Sequence, residues 1–244
     1  MYNSTQGDQW NNTWDLNQPI ETWFGVTVED NKVVEINLHF NNLQGVIPNE
    51  IGNLINLRKL NFGFNKLKGN VPNTIGNLKQ LKTLELFMNQ LDGEIPTAIG
   101  ELNNLEALRL FSNVFTGDIP TNLGNLTNLE VLELGSNFLT GNIPVELSEL
   151  KQLKVLSLID NKLEGFIPVE LAELRQLEEL VLSTNELSGI LPFEVASIKS
   201  LNTIMVSDNN MDQEYVSVSG NNPPGIMMIQ SDTAVAENIN DDED

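Results

Sequence analysis

A chain of 244 residues with 34 acidic against 13 basic side chains carries a formal charge of −21 and no cysteine. Such a polyanion repels phosphate, which excludes nucleic acid and anionic lipid headgroups as partners. The missing thiols exclude disulfides and thiolate metal sites.

In chain order, residues 1–10 lack the basic and apolar regions of a secretory leader. Residues 1–32 read as an amino-terminal cap, because all three tryptophans (Trp10, Trp14 and Trp23) fall there with Phe24. These aromatics read as a lid over the first coil of the repeats that begin at Val33, with sugar stacking at Trp10 or Trp14 as the competing reading.

From residue 33 to 208 the chain repeats with a period of 24, in units opening at Val33, Leu57, Leu81, Leu105, Leu129, Leu153, Leu177 and Leu201. A fixed period of this kind settles the architecture before any local reading. Each unit reads L-x-x-L-x-L-x-x-N-x-L-x-G-x-I-P, followed by a short apolar return. Leu108 and Leu110 are two apart, which puts both on the buried face of a short strand. Stacked units then pair these strands into one parallel sheet over a continuous leucine core. The asparagines Asn41, Asn65, Asn89, Asn113, Asn137, Asn161, Asn185 and Asn209 follow the strands. An amide both donates and accepts, so this column is expected to satisfy backbone groups of the turn and the adjoining coil. Glycine at the thirteenth place supplies a backbone conformation that side chains oppose, and proline at the sixteenth bends the chain into the outer wall. Segments such as 144–150 close each coil with a helical turn or a short 3₁₀ piece.

The Gly-x-Ile-Pro element and the Ile-Gly-x-Leu return resemble the plant-type leucine-rich-repeat family, and Trp23-Phe24-Gly25-Val26-Thr27-Val28 resembles its amino-terminal capping signature. The resemblance implies an α/β-type solenoid, right-handed, with a parallel concave sheet and with short 3₁₀ turns and extended segments outside. It also implies an extracellular or cell-surface setting, with the cytoplasm as the alternative. Glu21 and Val28 stand where that cap has two cysteines. The departure argues against a plant receptor ectodomain itself and for a bacterial or otherwise divergent relative.

Residues 209–230 read as a carboxy-terminal cap and 231–244 as an acidic, unstructured tail whose weak affinity for cations is an open alternative. No apolar run reaches the roughly 18 residues that cross a bilayer, so no direct membrane insertion is expected.

Chemistry is sparse. One histidine and no cysteine remove Cys–His catalysis and zinc clusters, and no phosphate-binding glycine pattern occurs. His39 reads as a surface residue. Asp208, Asn210 and Asp212 fall at calcium-loop spacing, but Gln213 and Ser219 stand where such a loop needs Gly and Glu. No enzyme, metal or cofactor is expected.

What remains is the face the repeat leaves free. If the first, fourth and sixth places of a unit point inward, the second, third, fifth, seventh and eighth look outward. These set Phe40, Phe64, Phe87, Met88 and Phe111 on or beside an exposed surface in the first four units. Packing of the eighth-place rings against the strand edge is the competing reading. Arg58, Lys59, Lys82 and Arg109 make that half partly basic, with Glu85, Arg109 and Glu133 in one column as a charge ladder. The expected function is recognition of a protein or peptide by a monomer, on a concave sheet roughly 35–40 Å long. A glycan-binding or adhesion role is the alternative. Ice binding is remote, because Gln44, Lys68, Asp92, Thr116, Thr140, Glu164 and Ser188 make an irregular outer column.

Overall fold

A computed structural model of the chain describes residues 1–212. The carboxy-terminal cap beyond Asp212 and the acidic tail, as read from sequence, lie outside the described residues.

Each coil contributes a concave strand of about three residues, such as Ala107–Arg109 or Val131–Glu133, and neighbours pair in parallel register one coil apart. The leucines of the first, fourth, sixth and eleventh places close on one another, and Leu105, Leu108 and Leu110 are fully buried. The concave sheet has nine strands rather than eight, and one of them is not parallel. Val26–Glu29 of the cap turns back at Asp30 and Asn31, both left-handed, and pairs antiparallel with Lys32–Asn37. This hairpin covers the edge that the first coil would expose. Behind it Trp10 and Trp14 are buried edge to face, and their indole N–H groups donate to the carbonyls of Thr5 and Phe24. Rings so covered offer no face for a sugar, so the stacking alternative falls away.

The outer wall carries a second layer of strands where the sequence suggested only extended segments. Five strands from Gln44–Gly45 to Phe138–Thr140 form one sheet, and Glu164–Phe166, Glu186–Gly189 and Asn210–Met211 form another. Gly93, with φ of 74°, turns the chain there as the repeat glycine was expected to do. After each proline from Pro48 to Pro168 comes a five-residue 3₁₀ turn, and after Pro192 a short α-helix, Phe193–Ala196.

The asparagines tie coil to coil. Asn113 Nδ2 lies 3.1 Å from the Leu86 carbonyl of the preceding coil and 3.0 Å from that of Leu110, while its Oδ1 accepts from the Leu91 N–H at 3.1 Å. The same geometry recurs at Asn137, Asn161 and Asn185, and with more exposure at Asn65, Asn89 and Asn209. Asn41, which has no preceding coil, pairs instead with the backbone of Asn12 in the cap. Asn209 is held by the column in the same way.

Candidate functional site

Past the end of each concave strand the chain turns sharply at the eighth place of the unit. Every residue at the eighth place has positive φ: Phe40 52°, Phe64 56°, Met88 52°, Ser112 55°, and Ser136, Asp160, Thr184 and Asp208 after them. This left-handed turn costs a residue other than Gly, Asn or Asp about 1–2 kcal/mol. It is held by a bond between coils, in which the Phe40 N–H donates to Gly63 O and the Phe64 N–H to Phe87 O, each at 3.0 Å. Ser, Asp and Thr occupy the turn in later coils, so nothing in the coil demands an aromatic there.

The aromatic side chains form a chain of contacts across the first four coils. Phe40 meets Phe64 edge to face at 6.0 Å, Phe64 meets Phe87 at 6.1 Å, and Phe87 lies stacked on Phe111 at 4.7 Å. His39, exposed as the sequence suggested, joins this cluster, 5.5 Å from Phe64 and 5.7 Å from Phe87. It occupies the same seventh place as Phe87 and Phe111, a signal that reading the column rather than the residue would have given. The set divides between two faces. His39, Phe87 and Phe111 stand two residues past the ends of the concave strands, whereas Phe40, Phe64 and Met88 line a recess of ≈ 320 Å³ at the asparagine side with Asn11, Asn42, Asn65 and Lys66. At the cap end the concave face continues into a second recess, of ≈ 530 Å³, between Phe24, Glu35, Asn37 and His39.

Of the eighth-place rings, Phe40 is 66% and Phe64 43% exposed. Phe87 and Phe111 are half-buried. Phe111 is covered by its stack on Phe87, and Phe87 by the coil before it, since a Cβ on Gly63 would come within 2.7 Å of the Phe87 ring. The missing side chain of one coil is the seat for the ring of the next. Gly63→Ala is therefore expected to displace Phe87 and cost about 1–2 kcal/mol by overpacking. An altered ring-current shift of Phe111 accompanying the change in the urea midpoint checks this; an unchanged shift means that the ring does not use the seat.

Charge is arranged differently from the sequence expectation. Arg109 sits between two carboxylates, Nη1 at 3.0 Å from Glu85 and Nε at 2.7 Å from Glu133, which is the ladder expected of that column. The other concave cations are paired too: Arg58 with Glu29, Lys59 with Glu35, Lys82 with Glu106 and Lys154 with Glu130. The hydrogen bond to Glu130, helped by that carboxylate's charge, raises the Lys154 ammonium above its ordinary range. The first half is thus neutralised rather than basic. Asp160, Glu178, Glu179 and Asp208 enter no ion pair among the described residues, so the later half keeps its negative charge. No group of three metal-binding side chains occurs among the described residues, and no helix there is long and apolar enough to cross a membrane.

A solenoid of stacked strand-and-turn coils with side chains displayed on its concave sheet defines a class of repeat protein. The family model described as a leucine-rich repeat region matches residues 31–163, and one described as a leucine-rich repeat matches 176–198. The chain belongs to the leucine-rich-repeat family. Its structure is similar to the ectodomain of the plant membrane receptor kinase GASSHO1/SCHENGEN3 from Arabidopsis thaliana, solved with CASPARIAN STRIP INTEGRITY FACTOR 2. There the TM-score is 0.76 at 36% identity, over 84% of this chain and 26% of that one. It is similar also to the Arabidopsis receptor kinase HAESA, solved with the peptide hormone IDA and the co-receptor SERK1, with a TM-score of 0.67 at 28% identity over 80% of this chain and 42% of that one. The chain therefore spans about a quarter and about two fifths of the length of these two solved chains. A plant ice-binding protein matches over 86% of this chain and 84% of its own, at 25% identity and a TM-score of 0.59. A comparison with curated proteins found no match.

Proposed function

We propose that the chain is a non-catalytic recognition module that takes a peptide or an extended protein segment along its concave side, mainly over coils one to four, in an extracellular setting. The observation that carries this is the continuous chain of aromatic contacts from half-buried Phe111 and Phe87 on the concave side to exposed Phe64 and Phe40 beside it, the last two held in a strained backbone conformation that later coils fill with small polar residues. Wet aromatics lower solubility unless a partner covers them, and aromatic anchors dominate interface energies. Around them Glu85, Arg109 and Glu133 form a satisfied, rigid polar border, with Arg58 and Lys82 paired at the edge. The nine strands span roughly 38 Å at about 4.8 Å apiece, which accommodates an extended segment of about ten residues. Similarity to receptor ectodomains solved with peptide and protein ligands supports the same reading. The ice-binding alternative needs a regular array, and the outer column running from Gln44 through Lys68, Asp92 and Thr116 to Glu164 mixes charges of both signs.

The test is to pan a random peptide library against the protein, then measure the selected peptides on Phe87→Ser/Phe111→Ser. Affinity is expected to fall by about 100-fold or more, as for two lost anchors. Stability should fall by no more than about 2 kcal/mol, the order expected for half-buried stacked rings. Retained affinity removes the reading, and collapse of the fold assigns the rings to packing.

A further inference from the structure

The outer flank presents a second apolar surface, far round the coil from the concave sheet. In coils two to four a recess of ≈ 800 Å³ is lined by Asn70, Asn73, Glu94, Thr97 and Thr116, among others. These are the twelfth, fourteenth and seventeenth places of their coils, and all are polar. The fourteenth and seventeenth places of coils six and seven hold Phe166, Val169, Ile190 and Phe193, and coil five adds Val145 at its seventeenth. All five are exposed, Phe166 at 70% and Phe193 at 60%. Coils two to four are polar at both places and coil one is apolar at Val46 alone, so the fold needs nothing apolar here and packing does not explain the change. A Cβ on Gly189 would come within 2.5 Å of the Phe166 ring, so this ring too is seated over a glycine of the next coil.

The patch is bordered by carboxylates on both sides. Glu146, Glu170 and Glu194 follow Val145, Val169 and Phe193, exposed and one coil apart, where coils two to four have Thr74, Ala98 and Asn122. On the other border Glu164 and Glu186 are register partners on adjacent strands, a like-charge pairing that costs stability. None of these five enters an ion pair among the described residues.

We propose that this flank of coils five to seven is a second interaction surface, and that its occupant is a basic, amphipathic segment of another protein. Apolar side chains of that segment cover Phe166, Ile190 and Phe193, while its Lys or Arg residues lie along both carboxylate rows. The rows select against a second copy of this chain, which would bring like charge to like charge on a molecule already at −21. Desolvated apolar contact supplies affinity, and the flanking charge sets orientation and the association rate.

A labelled synthetic helix of Leu and Lys, about 18 residues and so roughly five turns, is the probe, with its Leu/Glu counterpart as control. Fluorescence anisotropy in physiological salt is expected to show binding of the first alone. The affinity should drop tenfold or more in Phe166→Ser/Phe193→Ser and in Glu146→Gln/Glu170→Gln/Glu194→Gln, and stay unchanged in Phe87→Ser/Phe111→Ser. Undiminished binding to Phe166→Ser/Phe193→Ser would reduce the effect to bulk charge and overturn the proposal. So would loss of binding in the concave variant, which moves the probe to the other face while leaving the recognition reading intact. Sedimentation equilibrium showing a dimer abolished by Phe166→Ser/Phe193→Ser would give the surface to a second copy. A peptide of residues 213–244 binding there in trans would give it to the chain's own end, and either result overturns the proposal.

Discussion

Asn137→Ala is expected to lower the unfolding free energy by about 3–5 kcal/mol, as the sum of one orphaned buried donor and three weakened carbonyls. Asn137 Nδ2 donates to Leu110 O of coil four at 3.2 Å and to Leu134 O and Gly135 O of its own coil at 2.9 and 3.1 Å. Its Oδ1 accepts the N–H of Phe115 at 3.1 Å. Alanine leaves that N–H buried without a partner at a site the amide had closed to water. Asn137→Asp tests the same geometry from the other side: it keeps the acceptor, removes the donors and buries a charge, and so should cost at least as much at neutral pH. Stability in a solenoid is nearly a sum of coil and neighbour terms, so weakening the contact between coils four and five acts on the whole molecule. The readout is the urea midpoint at unchanged slope. A loss below about 1 kcal/mol, the net worth of one ordinary hydrogen bond, would mean that water replaces the amide.

The asparagines were conspicuous in the sequence because a buried amide has one place to go when it recurs every 24 residues. The second, outer layer of strands was not. Those strands are made by backbone bonds between coils, such as Lys66 N–H to Leu43 O, while their side chains run from Lys68 to Thr116 to Phe166 without a common character. Charge followed the same rule. Glu85, Arg109 and Glu133 could be paired by counting, since all three share one place, whereas the Arg58–Glu29 pair joins a repeat to an antiparallel strand outside the period. The left-handed eighth place was hidden for a different reason. Asp160 and Asp208 tolerate that conformation and hint at it, but Phe40, Phe64 and Met88 are side chains that ordinarily avoid it. The same conformation at Ser112, Ser136 and Thr184 makes it a property of the repeat, and only the side chains placed on it distinguish the first three coils.

Phe115→Ala is expected to match the asparagine loss, at about 3–5 kcal/mol for a large buried ring cut back to a methyl. Phe115 is fully buried at the eleventh place of coil four, where the neighbouring coils carry Leu91 and Leu139. The repeat thus supplies its own control. Phe115→Leu places in coil four the residue that the coils on either side already accommodate, so its cost should stay below about 1.5 kcal/mol. The difference between the two variants isolates cavity from shape. An alanine cavity lined by leucine stays dry and takes up small apolar molecules, so benzene should raise the melting temperature of Phe115→Ala and leave that of Asn137→Ala unmoved. Equal losses for alanine and leucine would instead mean that coil four is built around the aromatic ring, and that its neighbours' leucines do not report what it tolerates. Since Phe115 lies within the same coil as Phe111, that outcome would also tie the end of the concave aromatic run to the core beneath it.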